Sequence, residues 1–218
     1  LVLLLAEHGY RRRFRRAHVV VPNSVTVPTD EPPPPSSDRV VYLGKVTAAR
    51  GCGVMIEVAR LLTGLRVQVI GSADPDSAAL LRRAATDGVI DWEGFVPNDV
   101  ALPMLDGALA GLSLLHDQPN YDHSEGTKIM EYMAHGVPVV TTPNSAPAAL
   151  VEKARSGVVV PFCDPVGAAR ALMNLASARE LGEQLGSNGY RYARAHLNWV
   201  ADASRFVAAL EDAARRSS

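Results

Sequence analysis

Apolar residues along this chain fall into short runs. HVVV (18–21), RVVYL (39–43), RVQVI (66–70), VIDW (89–92), AGLSLL (110–115), VPVVT (137–141) and GVVV (157–160) are mostly β-branched or aliphatic, and each suits one strand. Most are separated by stretches of helical period. In GVMIEVARLLTGL, the residues Val54, Ile56, Val58, Leu61 and Leu62 gather mostly on one side, and SAALLRRAATDG, TKIMEYMAHG and DPVGAARALMNLA behave similarly. Alternating strands and helices build right-handed βαβ units, hence a parallel sheet with helices on both faces. Several of the runs are apolar throughout, as strands covered on both sides should be. The expected class is α/β.

Turn residues agree with this pattern. Gly64, Gly88, Gly136 and Gly157 stand where helices should stop, the position at which glycine tolerates a positive φ. Asp164-Pro165 reads as an N-cap followed by a proline in the first helical position. PTDEPPPPSSD (28–38) has no hydrophobic period and predicts an extended linker or surface loop. The chain therefore divides into 1–38, with a leading helix, a short strand and the proline-rich linker, and 39–218, the α/β body. From about 164 to 214 the pattern is helical. Trp199, Ala203, Phe206 and Leu210 form a final apolar stripe that must cover either the sheet or a surface this chain does not contain.

Composition narrows the function. With 218 residues, 47% apolar and 21% charged, the chain is an ordinary globular protein that can bury a substantial core. Its 22 basic and 23 acidic residues leave net −1, without the charge footprint of a nucleic-acid binder. Cys52 and Cys163 are too few for a disulfide framework or a four-cysteine zinc site, and read as buried or partly buried thiols in a reducing compartment. LVLLLA at the start is short, and its arginines (Arg11, Arg12, Arg13, Arg15, Arg16) follow it, so neither a signal peptide nor a membrane span is expected. The expected location is cytoplasmic. The arginine cluster reads either as a solvated flank or as a peripheral contact with an anionic membrane.

In an open parallel sheet, ligands bind beyond the carboxyl ends of the strands. Three loops there carry usable groups. In YLGKVTAARG, Gly44 permits a sharp turn, and Lys45 and Arg50 bring two cations beside a helix start, which suits a diphosphate. No Walker A sequence is present, and GCGVMI lacks the third glycine of the dinucleotide fingerprint. In HDQPNYDHSEGTKIMEYMAHG, Gly126 and Thr127 open a helix whose free amides, with the threonine hydroxyl and Lys128, could face an anion. Glu131 lies one turn further along the same face, where a carboxylate could accept the two hydroxyls of a ribose. In WEGFVPNDV, Phe95 and Val96 could flank a flat base. Each of these groups also has an ordinary reading as solvated charge, surface ion pair or core.

The order YLGKVTAARG, VIGSAD, VIDWEGFVPNDVALPML, EGTKIMEYMAHGVPVVTTP, SGVVVPFCDP resembles the C-terminal, nucleotide-sugar-binding half of a retaining GT-B glycosyltransferase, family 4 or group 1. The resemblance covers about residues 19–214. It implies a Rossmann-like domain in which Lys45 and Arg50 bind the donor diphosphate and stabilise the leaving group. It also implies that amides of Gly126, Thr127, Lys128 and Ile129 meet the phosphates and that Glu131 holds the ribose. Gly44 shapes the phosphate loop, and Phe95 and Val96 lie by the base. The donor would be a UDP- or GDP-sugar, with no separate cofactor and no metal. The first glutamate of the family's E-x7-E motif falls at His123, while Glu125 is two positions out of register. An N-terminal acceptor-binding domain is missing from the match, so the chain alone is expected to bind without turning over. Alternatives are a stand-alone binding or regulatory module, a nucleotide-sugar epimerase, or an NAD-binding domain. The last is weakened by the failed fingerprint.

Overall fold

A computed structural model describes residues 3–5, 18–20, 23–36, 38–122 and 126–215. Its body is a six-stranded, wholly parallel sheet built from β3 (Arg39–Leu43), β4 (Arg66–Ile70), β5 (Ile90–Gly94), β6 (Ala110–Ser113), β7 (Val139–Thr141) and β8 (Gly157–Val159). The spatial order is β5-β4-β3-β6-β7-β8. The chain thus winds outward from β3 in one direction and then from β6 in the other, the doubly wound Rossmann arrangement. Two further strands, β1 (Leu3–Leu5) and β2 (His18–Val20), pair parallel in a separate sheet. Where a leading helix was expected, Leu3–Leu5 is strand, and 6–17, with the arginine cluster, lies outside the described residues.

Alternation along the strands feeds two cores. Val40 and Tyr42 of β3 face the side covered by α1 (Cys52–Leu61), α2 (Pro75–Thr86) and α6 (Pro165–Ser177). Val41 and Leu43 face α4 (Thr127–Ala134), α5 (Ser145–Ala154) and α7 (Arg179–His196). On α1 the buried residues are Cys52, Met55, Ile56 and Val58, whereas Leu61 is 50% exposed, so the apolar face is centred one turn earlier than the sequence pattern suggests. Cys163 is exposed, at φ 52°, in the turn leading to α6, unlike the buried or partly buried thiol expected there.

The punctuation holds with one exception. Gly64, Gly88 and Gly136 have positive φ, and Asp164 caps α6 by accepting from the Gly167 N–H at 2.8 Å. Gly157 does not stop a helix. It opens β8, where a Cβ would lie 2.0 Å from the Val139 carbonyl oxygen. The left-handed turn after α5 is made by Arg155, at φ 51°.

The proline-rich stretch is bound to the body. Tyr190 of α7 donates to the Pro28 carbonyl at 3.0 Å. Upstream, the Val25 N–H donates to Leu197 and the Val25 carbonyl accepts from Trp199, which stitches residue 25 between α7 and α8 (Trp199–Arg215). On α8, Trp199, Val207 and Leu210 are 43–51% exposed. No helix among the described residues is long and apolar enough to cross a membrane.

Candidate functional site

The reversal of winding falls between β3 and β6, and the chain opens there into a cleft of about 370 Å3. The two strands pair only at Val40 with Ala110 and Val41 with Gly111. Beyond that point the Tyr132 hydroxyl bridges them, accepting from the Leu43 N–H at 2.8 Å and donating to the Leu112 carbonyl at 3.2 Å. A strand pair that separates must find other partners for its buried backbone groups, and this phenol supplies them. Burial pushes the Tyr132 phenol well above the usual tyrosine range, so it stays a neutral donor and acceptor.

The loop after β3 closes on its own backbone. The Lys45 carbonyl accepts from the Tyr42 hydroxyl at 2.9 Å and from Arg50 Nη1 at 3.4 Å, while Thr47 accepts from the Arg50 N–H. This leaves the Lys45 side chain exposed and Arg50 half-buried, both lining the cleft. Gly71, after β4, packs against the same loop. With φ 150°, it brings its Cα so close that a Cβ would meet the Gly44 carbonyl oxygen at 2.0 Å.

Across the cleft, Gly126 at φ 52° leads into α4, whose first turn has no side-chain cap. Its leading amides are therefore without intrahelical partners, apart from that of Ile129, which donates to the Gly126 carbonyl at 2.9 Å. Lys128 sends its ammonium end over the face of Tyr42, 3.5 Å from the ring centroid. Its Nζ is buried without a hydrogen-bond partner among the described residues. Burial, reinforced by Arg50, lowers its pKa well below the ordinary lysine range, and Glu131 opposes that shift. Burial raises the carboxyl of Glu131, with Lys128 pulling it back.

The third wall comes from the loop after β5. Trp92 Nε1 donates to the Gly71 carbonyl at 3.0 Å, which fixes the start of the loop, and Val96 packs into the second core. Phe95 is left 77% exposed at the rim, ahead of the short helix α3 (Asn98–Ala101). The loop after β6, which carries Tyr121 into the cleft, is tied to the next loop. Thr142 donates to the Leu115 carbonyl at 2.8 Å, Asn144 donates to the His116 carbonyl at 3.2 Å, and Asp122 accepts from the Ser145 N–H at 3.1 Å.

Of the residues proposed from sequence, Gly44, Lys45, Arg50, Phe95, Val96, Gly126, Thr127, Lys128 and Glu131 line this one cleft. Ile129 does not. Its side chain is fully buried in the second core and its amide is already bonded, so it holds α4 in place and makes no wall. His123 and Glu125 lie outside the described residues. Sequence reasoning missed Ser72 and Asn98 as lining residues and the ring of Tyr42 under Lys128. The position of Ser72 just past a strand was the available signal.

Residues 37–178 match the family model described as "Glycosyl transferases group 1". WcaL of Escherichia coli, described as a candidate glycosyltransferase of colanic acid biosynthesis, is 32% identical over 149 residues, which cover 64% of this chain and 35% of that protein. The Salmonella typhimurium WcaL is 32% identical over 135 residues, 58% of this chain and 33% of that protein. The chain thus spans about a third of the length of these relatives. Among solved structures, sucrose-phosphate synthase from Thermosynechococcus elongatus superposes with a TM-score of 0.77 at 18% identity, covering all of this chain and 59% of that one. Anabaena HepE in complex with UDP-glucose superposes at 0.76 with 15% identity, covering 97% and 64%.

Proposed function

The chain belongs to the group 1 glycosyl transferases, and on that premise we propose that it binds a nucleotide-diphosphate sugar, UDP- or GDP-linked, as the donor half of a retaining sugar transfer to an acceptor hydroxyl. One observation carries this reading. Lys45, Arg50 and Lys128 converge on one cleft with the uncapped start of α4, and Glu131 lies one turn behind them. Cations and free helix amides match a diphosphate, and a carboxylate beside them matches paired hydroxyls. The exposed ring of Phe95 and the half-buried Val96 offer a flat base an apolar rim.

During transfer, the sugar–oxygen bond breaks and negative charge grows on the terminal phosphate of the nucleotide. Lys45 and Arg50, carried on a loop closed on its own backbone, are the groups that stabilise that charge. On this reading the acceptor is bound by an N-terminal domain, and the half-exposed apolar residues of α8, Trp199, Val207 and Leu210, are the surface offered to it. Turnover is expected only when the two are joined. HepE, similar in fold, has been crystallised with UDP-glucose, which makes that donor the first to try.

A thermal-shift series with UDP-, GDP-, ADP- and TDP-sugars tests the reading, because a ligand that binds only the folded state raises its melting temperature. A rise with one base, not shared by NAD, is expected. No rise with any of the sugars would refute it.

A further inference from the structure

Lys128 stands apart from the other two cations. Lys45 is exposed and the Arg50 guanidinium donates to a backbone carbonyl, but Lys128 Nζ is buried, has no hydrogen-bond partner among the described residues, and rests 3.5 Å from the centroid of the Tyr42 ring. A buried ammonium with none of its donors satisfied is costly, and an aromatic face offsets only part of that. The charged and titratable groups facing it among the described residues are Tyr42 from β3, Arg50 from the turn after β3, and Glu131 from its own helix. Tyr42 stays neutral, because burial pushes its phenol far above the usual tyrosine range. Arg50 repels a second cation. Besides the Tyr42 face, Glu131 favours one, and burial draws that carboxyl towards its neutral form.

We propose that Lys128, its amine buried over the Tyr42 ring without a hydrogen-bond partner among the described residues, is an anion receptor that takes a proton from solvent as the donor's diphosphate enters, coupling nucleotide-sugar binding to proton uptake. This rests on the donor-binding reading above. The balance is simple: the neutral amine gains one proton from the buffer, and the resulting ammonium donates to phosphate oxygens, with no other bond made or broken. The burial and the guanidinium that disfavour the ammonium in the empty site are answered once anionic oxygens lie beside it. Lys128 then acts as a third phosphate ligand whose charge exists only when there is a phosphate to hold. The empty cleft is spared a third, unpartnered cation beside Lys45 and Arg50.

Calorimetric titration with UDP-glucose, or with whichever sugar nucleotide gives the largest thermal shift, tests this in buffers of differing ionisation enthalpy. Both phosphates of a nucleotide sugar are diesterified and fully ionised near neutral pH, so the ligand contributes no proton of its own. The wild type is expected to take up close to one proton per nucleotide where the free amine is neutral, with affinity falling about tenfold per pH unit in that range. Lys128→Arg, charged in both states, should bind without buffer dependence. Lys128→Met should bind more weakly, also without it. Should Lys128→Met fail to fold, the wild-type buffer series and Lys128→Arg still decide. Binding by the wild type with the same enthalpy in every buffer overturns the proposal and leaves the donor reading intact. Uptake that survives in Lys128→Arg overturns it too, by placing the proton elsewhere. No binding by any sugar nucleotide overturns both.

Discussion

The Tyr132 hydroxyl oxygen lies 2.8 Å from the backbone nitrogen of Leu43, in the gap where β3 and β6 part. The parting of these strands is the cleft, so the side chain that makes the parting tolerable belongs to the architecture of the site. Removing the oxygen as Tyr132→Phe leaves a buried N–H and a buried carbonyl without this partner. The expected loss is about 1–3 kcal/mol of folding stability. Denaturant unfolding of the two proteins measures it, and equal midpoints would show that other groups satisfy Leu43 and Leu112.

Lys45→Ala and Arg50→Ala should each weaken binding of the sugar nucleotide that the thermal series identifies. A charge-assisted contact of about 1.5–3 kcal/mol corresponds to roughly ten- to hundredfold in Kd. Calorimetry on each variant gives the number. Unchanged affinity in both would remove the loop after β3 from the site.

Two glycines of positive φ should respond differently to alanine. At Gly64 a Cβ meets nothing within 4 Å, so only backbone strain is added, about 1 kcal/mol. At Gly71 the same atom would strike the Gly44 carbonyl, and backbone must move against backbone. The expected loss there is about 2–4 kcal/mol, strain plus the clash, accompanied by weaker nucleotide binding because the displaced end of β3 leads into the loop that carries Lys45 and Arg50. Paired melting and titration experiments separate the two effects. Similar losses at both positions would argue against the close approach.

Glu131→Gln should stabilise the empty protein at neutral pH while weakening donor binding. Burial raises the folded-state pKa of this carboxyl above its unfolded value, so folding takes up a proton between the two. Stability therefore falls as pH rises from the usual carboxyl range through the raised value, then levels off. The amide does not titrate, so the variant should match the wild type in acid and exceed it above the raised pKa. The Tm of both proteins across pH 3–8 is the readout, and a constant difference across that range would contradict it.

Much of the fold was legible because a parallel sheet covered on both faces needs strands that are apolar throughout. Those runs, such as RVVYL and VPVVT, stand out against the helical stretches. Helix α5 was not legible. Its buried face is Pro147, Ala148, Val151 and Ala154, too small and too interrupted to give a clear period. Gly157 misled for a related reason: the same residue type serves a helix stop and a tight strand contact, and sequence does not separate them.

By itself the sequence determined the alternation of strands and helices, the loops where charge would collect, and most of the residues that line the cleft, because each follows from local pattern and position after a strand. Only the tertiary structure decided how those residues meet. It brought α4 against the end of β3, turned Ile129 inward, and set Lys128 over Tyr42, 86 positions away along the chain, with no hydrogen-bond acceptor for its Nζ among the described residues. Burial and the absence of a partner are properties of packed neighbours. No spacing along the chain encodes them.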